Sequence, residues 1–490
     1  MPHHRQLVVP LAALGLAACA SAGPYRFGPD GPLPCERAIC AVDLEQYRSV
    51  QERAGQDSSA VVAIAISGGG HRSANFATGV LLELESIPYG GAGLLNEIDY
   101  FSTVSGGGFA ASAYVTARLE HQRDGDGPFR YAEAFTTNCG AGPRLDDRCR
   151  PHSLTRSYEG LFAWIRHPGI IFSPVTGGDL LERDIDTRLL STWTRDTLGL
   201  ARRSATLRDL FVPRDSARRP TLPYWVANAA VYRNGAVFPF TPDVLARYQV
   251  SRYRHRLARD SLDDPYDMPL AVGVKASVSV PGLIPLTTLE TYPARRFRYL
   301  RLLDGGLADN LGVMTAADLL CQDTLHAPAT SESRAERRRL MLIVDAYQED
   351  GMPYDASPRS SAIGNVIRAA VVGLDSWRGR YASVLRALGA RCGFEMVALD
   401  FWALDSTSAN PWKGTAAERA ACASELTPKL PRDGEPLEDA LARLKRDAQG
   451  VRTRFRITEE QQRSLMTAGR LVTCFARPAI LAALTQRDRE

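Results

Sequence analysis

Three short stretches, far apart in the chain, carry residues that could perform acyl transfer if the fold brought them together. Thr103-Val104-Ser105-Gly106-Gly107-Gly108 sets a serine between an apolar run and three glycines. A serine in a sharp strand-to-helix turn is lifted out of the sheet edge, and its strained backbone needs small neighbours. Asp304-Gly305-Gly306 follows a run, Arg298 to Leu303, that alternates charged or polar with apolar residues. A carboxylate at such a strand end can take the proton of a serine hydroxyl and act as general base. Ser67-Gly68-Gly69-Gly70-His71-Arg72 supplies consecutive glycines that let the backbone turn and aim several N–H groups into one concavity. The positive end of a following helix would add to that anion-binding nest.

Each stretch alone also reads as ordinary structure: a tight turn, a serine in a glycine turn, a solvated Asp-Gly turn. A phosphate-binding role for the triple glycine lacks both the dinucleotide fingerprint and the Walker Lys-Ser/Thr ending. Asp309 competes with Asp304, but its place after the turn suits a helix cap or loop organiser. Histidine separates a triad from a dyad. A hydrolase triad in the order Ser, Asp, His needs a histidine after Asp304, and the only one is His326, in a loop-like stretch near Pro328. His71, His121, His152, His167 and His255 all come earlier, so a two-residue Ser-Asp mechanism is expected, with His71 packing or orienting the glycine loop.

The elements around these residues follow from apolar patterning. Val61 to Ile66 is a continuous apolar run ending in glycines, as in a parallel strand buried on both faces. A helix is expected from about Ser73 to Ser86, a strand over Ile98 to Val104, and a helix from about Gly107 to Leu119. Two strand-turn-helix units in succession argue for a βαβ arrangement and an α/β fold. Tyr224 to Val231 and Leu340 to Val344 read as further strands. The stretch from 120 to 260, including Arg202 to Pro220, reads as insertions and surface helices, and Ile170-Ile171-Phe172 as core packing. Beyond about 360 the pattern turns mainly helical, with a capping box at Thr458 and Gln461.

Together and in this order, the three motifs resemble those of the patatin-like phospholipases. The Ser-Gly-Gly-Gly-His-Arg form is similar to the loop of the cytosolic phospholipase branch. Ala276-Ser277-Val278-Ser279-Val280-Pro281 resembles the Ala-Ser-x-x-x-Pro segment that precedes the family's aspartate. Thr103 departs from the pattern, standing where G-x-S-x-G has its first glycine. The resemblance spans about residues 58 to 350. It implies a three-layer α/β/α fold around a mostly parallel sheet, in a catalytic domain of residues 46–350 with helical elements of 351–490 packed on it. It also implies Ser105 as nucleophile, Asp304 as base, oxyanion donors from Gly69 and Gly70 with Gly68, and Arg72 holding a substrate phosphate. Phospholipids or lysophospholipids are then the expected substrates, with no metal or organic cofactor. A carboxylesterase or thioesterase acting on soluble esters, or a noncatalytic lipid-binding protein, are the alternatives.

The N-terminus points to the cell envelope. Arg5 precedes an apolar stretch from Leu7 to Ala18 that is too short to span a bilayer. Leu16-Ala17-Ala18-Cys19 resembles a bacterial lipobox, which predicts a signal peptide of residues 1–18, lipidation of Cys19 and a Gly/Pro/Ala-rich tether to about residue 45. Ala20 after the cysteine suggests the outer membrane, facing the periplasm. No other run is expected to cross a membrane. Of nine cysteines, eight remain after Cys19, compatible with pairing in an oxidising compartment. Cys35 with Cys40 and Cys139 with Cys149 are the expected pairs, whereas Cys321, Cys392, Cys422 and Cys474 read as small buried residues. A net charge of +4 gives no nucleic-acid footprint, and no zinc-type spacing appears.

Overall fold

The apolar run before the triple glycine forms strand β1 (Ala60–Ile66), and all of it is buried, as a strand covered on both faces must be. It belongs to a computed structural model that describes residues 59–485 except 91–92, 125–127, 138, 140–148, 159–176, 197–198, 212–221, 249, 251–252, 255–260, 263–264, 282, 291–298, 327–336, 348–377 and 455. Cys19, Cys35, Cys40 and Ile170 to Phe172 lie outside the described residues.

β1 sits inside an eight-stranded sheet with β2 (Ile98–Val104), β3 (Tyr224–Val231), β4 (Val237–Pro239), β5 (Thr287–Glu290), β6 (Tyr299–Asp304), β7 (Arg338–Asp345) and β8 (Phe394–Asp400). The order is β8-β7-β1-β2-β3-β6-β5, with β4 paired to β3 beside that path. The five strands from β8 to β3 run parallel, and β6 and β5 extend the sheet antiparallel. Register brings the chemistry to one place. Val104 at the end of β2 pairs with Asn228, and the next residue of β3, Ala229, pairs with Asp304 at the end of β6. A crevice at the carboxyl ends of parallel strands is where open α/β sheets hold their sites.

Helices flank the sheet: α1 (His71–Ser86), α2 (Gly107–Asp124), α3 (Gly177–Ile185), α4 (Leu270–Ser277), α5 (Val313–His326), α6 (Arg378–Cys392), α7 (Ala416–Leu426), α8 (Leu437–Gln449) and α9 (Glu459–Thr485). α5 packs on β1, β2 and α6, while α9 packs on α1, β7 and β8. The result is the expected α/β/α arrangement with a mostly parallel sheet. Gly79 of α1 and Gly469 of α9 face each other so closely that a Cβ on either would run into the partner's backbone. Beside them Glu83 is fully buried, and it takes Arg477 at 2.9 Å and Arg470 at 3.4 Å from α9.

The described residues beyond 377 are mainly helical, and one strand among them, Phe394–Asp400, adds the edge strand β8 to the parallel sheet. Three expectations need correction. The middle region includes a β-hairpin, Ser191–Asp196 with Gly199–Ser204, where insertions and surface helices, but no strand pair, were expected. α9 is long and apolar enough to cross a membrane, yet more than half of its apolar window is buried inside the protein, as in a core helix. Cys321 pairs with Cys392 and Cys422 with Cys474, across 71 and 52 residues, instead of lying as free thiols. These links tie α5 to α6 and α7 to α9. Cys139 and Cys149 pair as expected.

Candidate active site

β2 stops at Val104 and α2 starts at Gly107, so Ser105 occupies a turn with no room for a relaxed loop. Its φ of 48° makes it the only non-glycine with a left-handed backbone among the described residues. Such a conformation persists only where neighbours over-determine it. The Ser105 amide donates to Ser277 Oγ at 2.8 Å, and Gly108 N donates to the Ser105 carbonyl at 3.0 Å. Ser277, the last residue of α4, donates its own hydroxyl proton to the Asn228 carbonyl at 2.6 Å. Asn228 in turn donates to Ser102 Oγ at 2.9 Å and to the Thr103 carbonyl at 3.1 Å, and accepts from Thr315 Oγ1 at 2.7 Å. A closed set of buried bonds thus fixes the elbow to two neighbouring elements.

Ser105 Oγ donates to Asp304 Oδ2 at 2.9 Å. Only 8% of Ser105 and 7% of Asp304 is exposed, so the pair is nearly dry. Gly306 N donates to the other carboxylate oxygen, Oδ1, at 2.8 Å, which orients the carboxylate with Oδ2 toward the serine. Burial pushes the Asp304 carboxyl up to about 6, against the lowering effects of the Gly306 and Ser105 bonds. The group is ionised at neutral pH and holds a proton more readily than an exposed aspartate does.

The glycine loop lies beside this pair. Ser67 N donates to the Val344 carbonyl at 3.0 Å, and Ser67 Oγ accepts from Ala346 N at 3.0 Å, so the loop is anchored to the end of β7. Gly68 N donates to the Asn310 carbonyl at 2.9 Å, which removes Gly68 from the expected set of oxyanion donors. The amides of Gly69 and Gly70 have no acceptor among the described residues. Both have positive φ, 141° and 57°, and Gly70 lies directly against Gly106, the neighbour of Ser105.

Arg72 corrects a second expectation. It is 4% exposed, and its Nε and Nη1 donate to the carbonyls of Ala346 at 2.7 Å and Val451 at 2.8 Å. A guanidinium spent on backbone carbonyls in the interior is a clamp, not a receptor for a substrate phosphate. His71 N donates to the Arg454 carbonyl at 3.0 Å, and a Cβ on Gly70 would stand 2.7 Å from that same oxygen. The segment from Val451 to Ile457, which leads into α9, therefore lies across the loop.

A serine in a strained elbow, a buried carboxylate bonded to it and a glycine loop alongside stand together at the strand ends of one sheet. The family model for patatin-like phospholipases matches residues 64–317, which contain all three. This chain belongs to the patatin-like phospholipase family. Solved structures similar to this patatin-like chain include human GIVD cytosolic phospholipase A2 bound to methyl gamma-linolenyl fluorophosphonate and terbium chloride. That structure shares 15% identity and a TM-score of 0.37, over 98% of this chain and 64% of the other. The same human protein without those additions gives 14% and 0.35, over 94% and 65%. VipD from Legionella pneumophila gives 11% and 0.25, over 70% and 61%. The patatin-like chain thus spans about three-fifths to two-thirds of the length of these proteins. No curated protein matches it.

In this family member Asp309 does not bond to Ser105 and serves the next turn instead. Its carboxylate accepts from Leu311 and Gly312 N at 3.1 Å and from Met314 N at 2.8 Å, organising the turn into α5. His71 is wholly buried, donates from Nε2 to the Arg156 carbonyl at 2.7 Å and packs against Phe109 and Tyr158. It orients the loop. Among the described residues no group of three or more His, Cys, Asp or Glu side chains could hold a metal ion. Sequence reasoning missed Asn228, Ser277 and the 451–457 segment as positioning elements. A lone amide in the apolar strand Tyr224–Val231 was a usable signal for Asn228, and the Ala276-Ser277 match was one for Ser277. Nothing local marked residues 451–457.

Proposed function

We propose that this chain is a lipid acyl hydrolase in which Ser105 and Asp304 form a catalytic dyad. The observation that carries the reading is the 2.9 Å hydrogen bond from the Ser105 hydroxyl to Asp304 Oδ2, in a site from which water is nearly excluded. As Ser105 Oγ attacks an acyl carbonyl, its proton passes to Asp304, and the Gly69 and Gly70 amides receive the oxyanion. Asp304 then returns the proton to the departing alcohol oxygen, leaving an acyl-serine. Water attacks that ester, giving its proton to Asp304, and the fatty acid leaves as Ser105 recovers its hydrogen. A carboxyl poised at about 6 suits both directions of transfer near neutral pH.

Family membership supports phospholipids or lysophospholipids as substrates. The Leu16-Ala17-Ala18-Cys19 motif supports a lipid anchor holding the enzyme on the bacterial envelope, where such substrates are concentrated. A fluorophosphonate probe should label wild-type protein on Ser105 and leave Ser105→Ala unlabelled. Well-folded wild-type protein that takes no label and releases no fatty acid from phospholipid vesicles overturns the reading. Replacing Cys19 with Ser should release the protein from the membrane fraction.

A further inference from the structure

The segment across the glycine loop turns backbone carbonyls inward, and the side chains of Arg452, Arg454 and Arg456 are exposed. Val451 and Arg454 give their carbonyls to Arg72 and His71, and Ile457 N donates to the Thr155 carbonyl at 3.1 Å. Val451 and Ile457 are buried at its two ends. Between them Arg452, Arg454 and Arg456 stand at alternate positions, all exposed. None of their guanidinium groups has a hydrogen-bond or ion-pair partner among the described residues. Several arginines elsewhere in the C-terminal elements are committed, Arg419 to Glu438, Arg443 to Glu435, Arg470 and Arg477 to Glu83, and of the exposed ones such as Arg446 and Arg463 none lies on the glycine loop. The nearest acids in sequence, Glu459 and Glu460, open α9 beyond buried Ile457, where carboxylates favour a helix N-terminus.

We propose that Arg452, Arg454 and Arg456 form a docking strip for an anionic phospholipid surface, placed so that binding brings lipid to the catalytic serine. Position carries the argument. The Arg454 backbone touches Gly70, Gly70 touches Gly106, and Gly106 adjoins Ser105. A bilayer held by these guanidiniums is therefore held two contacts from the nucleophile. Charge supplies the complement, since exposed guanidiniums without a protein partner bind headgroup phosphates through paired N–H donors. Arg72, buried beneath the strip, does not reach that surface. The inference rests on the lipid hydrolase reading for its purpose but not for its test.

The test uses full-length protein carrying Ser105→Ala, so that vesicles stay intact, and measures sedimentation with phosphatidylcholine vesicles, with or without phosphatidylglycerol. Binding should require phosphatidylglycerol, weaken with salt and fall roughly fivefold for each Arg→Gln change at 452, 454 or 456. Arg386→Gln, an exposed arginine of α6, controls for net charge and should bind like the parent. Unaltered binding by the triple variant, binding indifferent to phosphatidylglycerol, or equal loss in the Arg386 control overturns the strip. Enzyme with Ser105 intact and only Arg452→Gln and Arg456→Gln, two residues outside the glycine-loop contacts, should also lose turnover on mixed vesicles relative to a soluble short-chain ester, through apparent KM and not kcat. A protein that docks by this rule yet hydrolyses no lipid sinks the catalytic reading and leaves the strip standing.

Discussion

Ser105 and Asp304 are held by the sheet and its immediate turns, whereas the Gly69–Gly70 loop needs, besides its anchor at the end of β7, a segment from near the C-terminus. Around Ser105 and Asp304 the supports come from the sheet and the turns and helix ends beside it: Asn228, Ser277, Thr315, Gly306 and Gly108 close short bonds around the pair. On the charge-handling side, the supports are a carbonyl at the end of β7 and two carbonyls from Val451 and Arg454, nearly four hundred residues further along the chain. The first arrangement is fixed once the sheet pairs. The second needs the last helix docked, because α9 carries the strap and lies backbone to backbone on α1 through Gly79 and Gly469. One fold thus builds the Ser105–Asp304 pair locally and shapes the glycine loop by long-range closure.

The sharpest way to test this division is to remove each side in turn. Ser105→Ala should lower ester hydrolysis on the order of ten-thousand-fold while leaving the melting transition close to that of the parent. Residual hydrolysis near the wild-type rate would move the chemistry elsewhere. Next in size is Gly70→Ala. Its φ of 57° strains any side chain, and the new methyl meets the Arg454 carbonyl at 2.7 Å. We expect a loss of about 3 kcal/mol in transition-state stabilisation, seen in kcat more than KM, with fluorophosphonate labelling slowed but Ser105 still bonded to Asp304.

The dyad side carries a pH signature of its own. Hydrolysis of a soluble ester should rise with pH through about 6, as Asp304 loses its proton and becomes a base. The same burial has a stability consequence. The folded state holds the proton up to about 6 and the unfolded state only to about 3.8, so charging Asp304 costs native stability as pH climbs through that interval. Asp304→Asn should therefore be inactive yet more stable than the parent at neutral pH, by on the order of 3 kcal/mol, with the gain vanishing toward pH about 4. Denaturant unfolding at both pH values checks the sign.

Two smaller effects probe the long-range side. Gly469→Ala forces α9 off α1 and should cost about 1 to 3 kcal/mol in unfolding experiments, lowering activity with it. Arg72→Lys loses the fork that reaches two carbonyls and should reduce kcat by roughly tenfold, equally for phospholipid and for an uncharged soluble ester. A loss confined to phospholipid would restore Arg72 as a phosphate ligand and erase the distinction drawn here.

How much of this was legible beforehand follows the same division. The dyad could be read because each member stands in a motif whose glycines and apolar run declare a strand end, and register then had to unite β2, β3 and β6. The glycine loop was recognisable, but the commitment of Gly68 to Asn310 was not, since that bond joins residues separated by most of the sheet. Arg72 was misread for a physical reason: a long cation after a glycine loop can point outward to solvent or inward to carbonyls, and only the position of Ala346 and Val451 decides. β8 escaped notice because Phe394–Asp400 alternates exposed or half-buried with buried residues at a sheet edge, without the continuous apolar run that marked β1. The long pairings of Cys321 and Cys422 were equally out of reach of local spacing.

The segment from Val451 to Arg454 also sets a limit on truncation. A chain ending before Val451 keeps every residue of β1, β2, β3 and β6 but loses the carbonyls that take Arg72 and His71. Such a fragment should retain Ser105 beside Asp304 while its glycine loop loses its outer support.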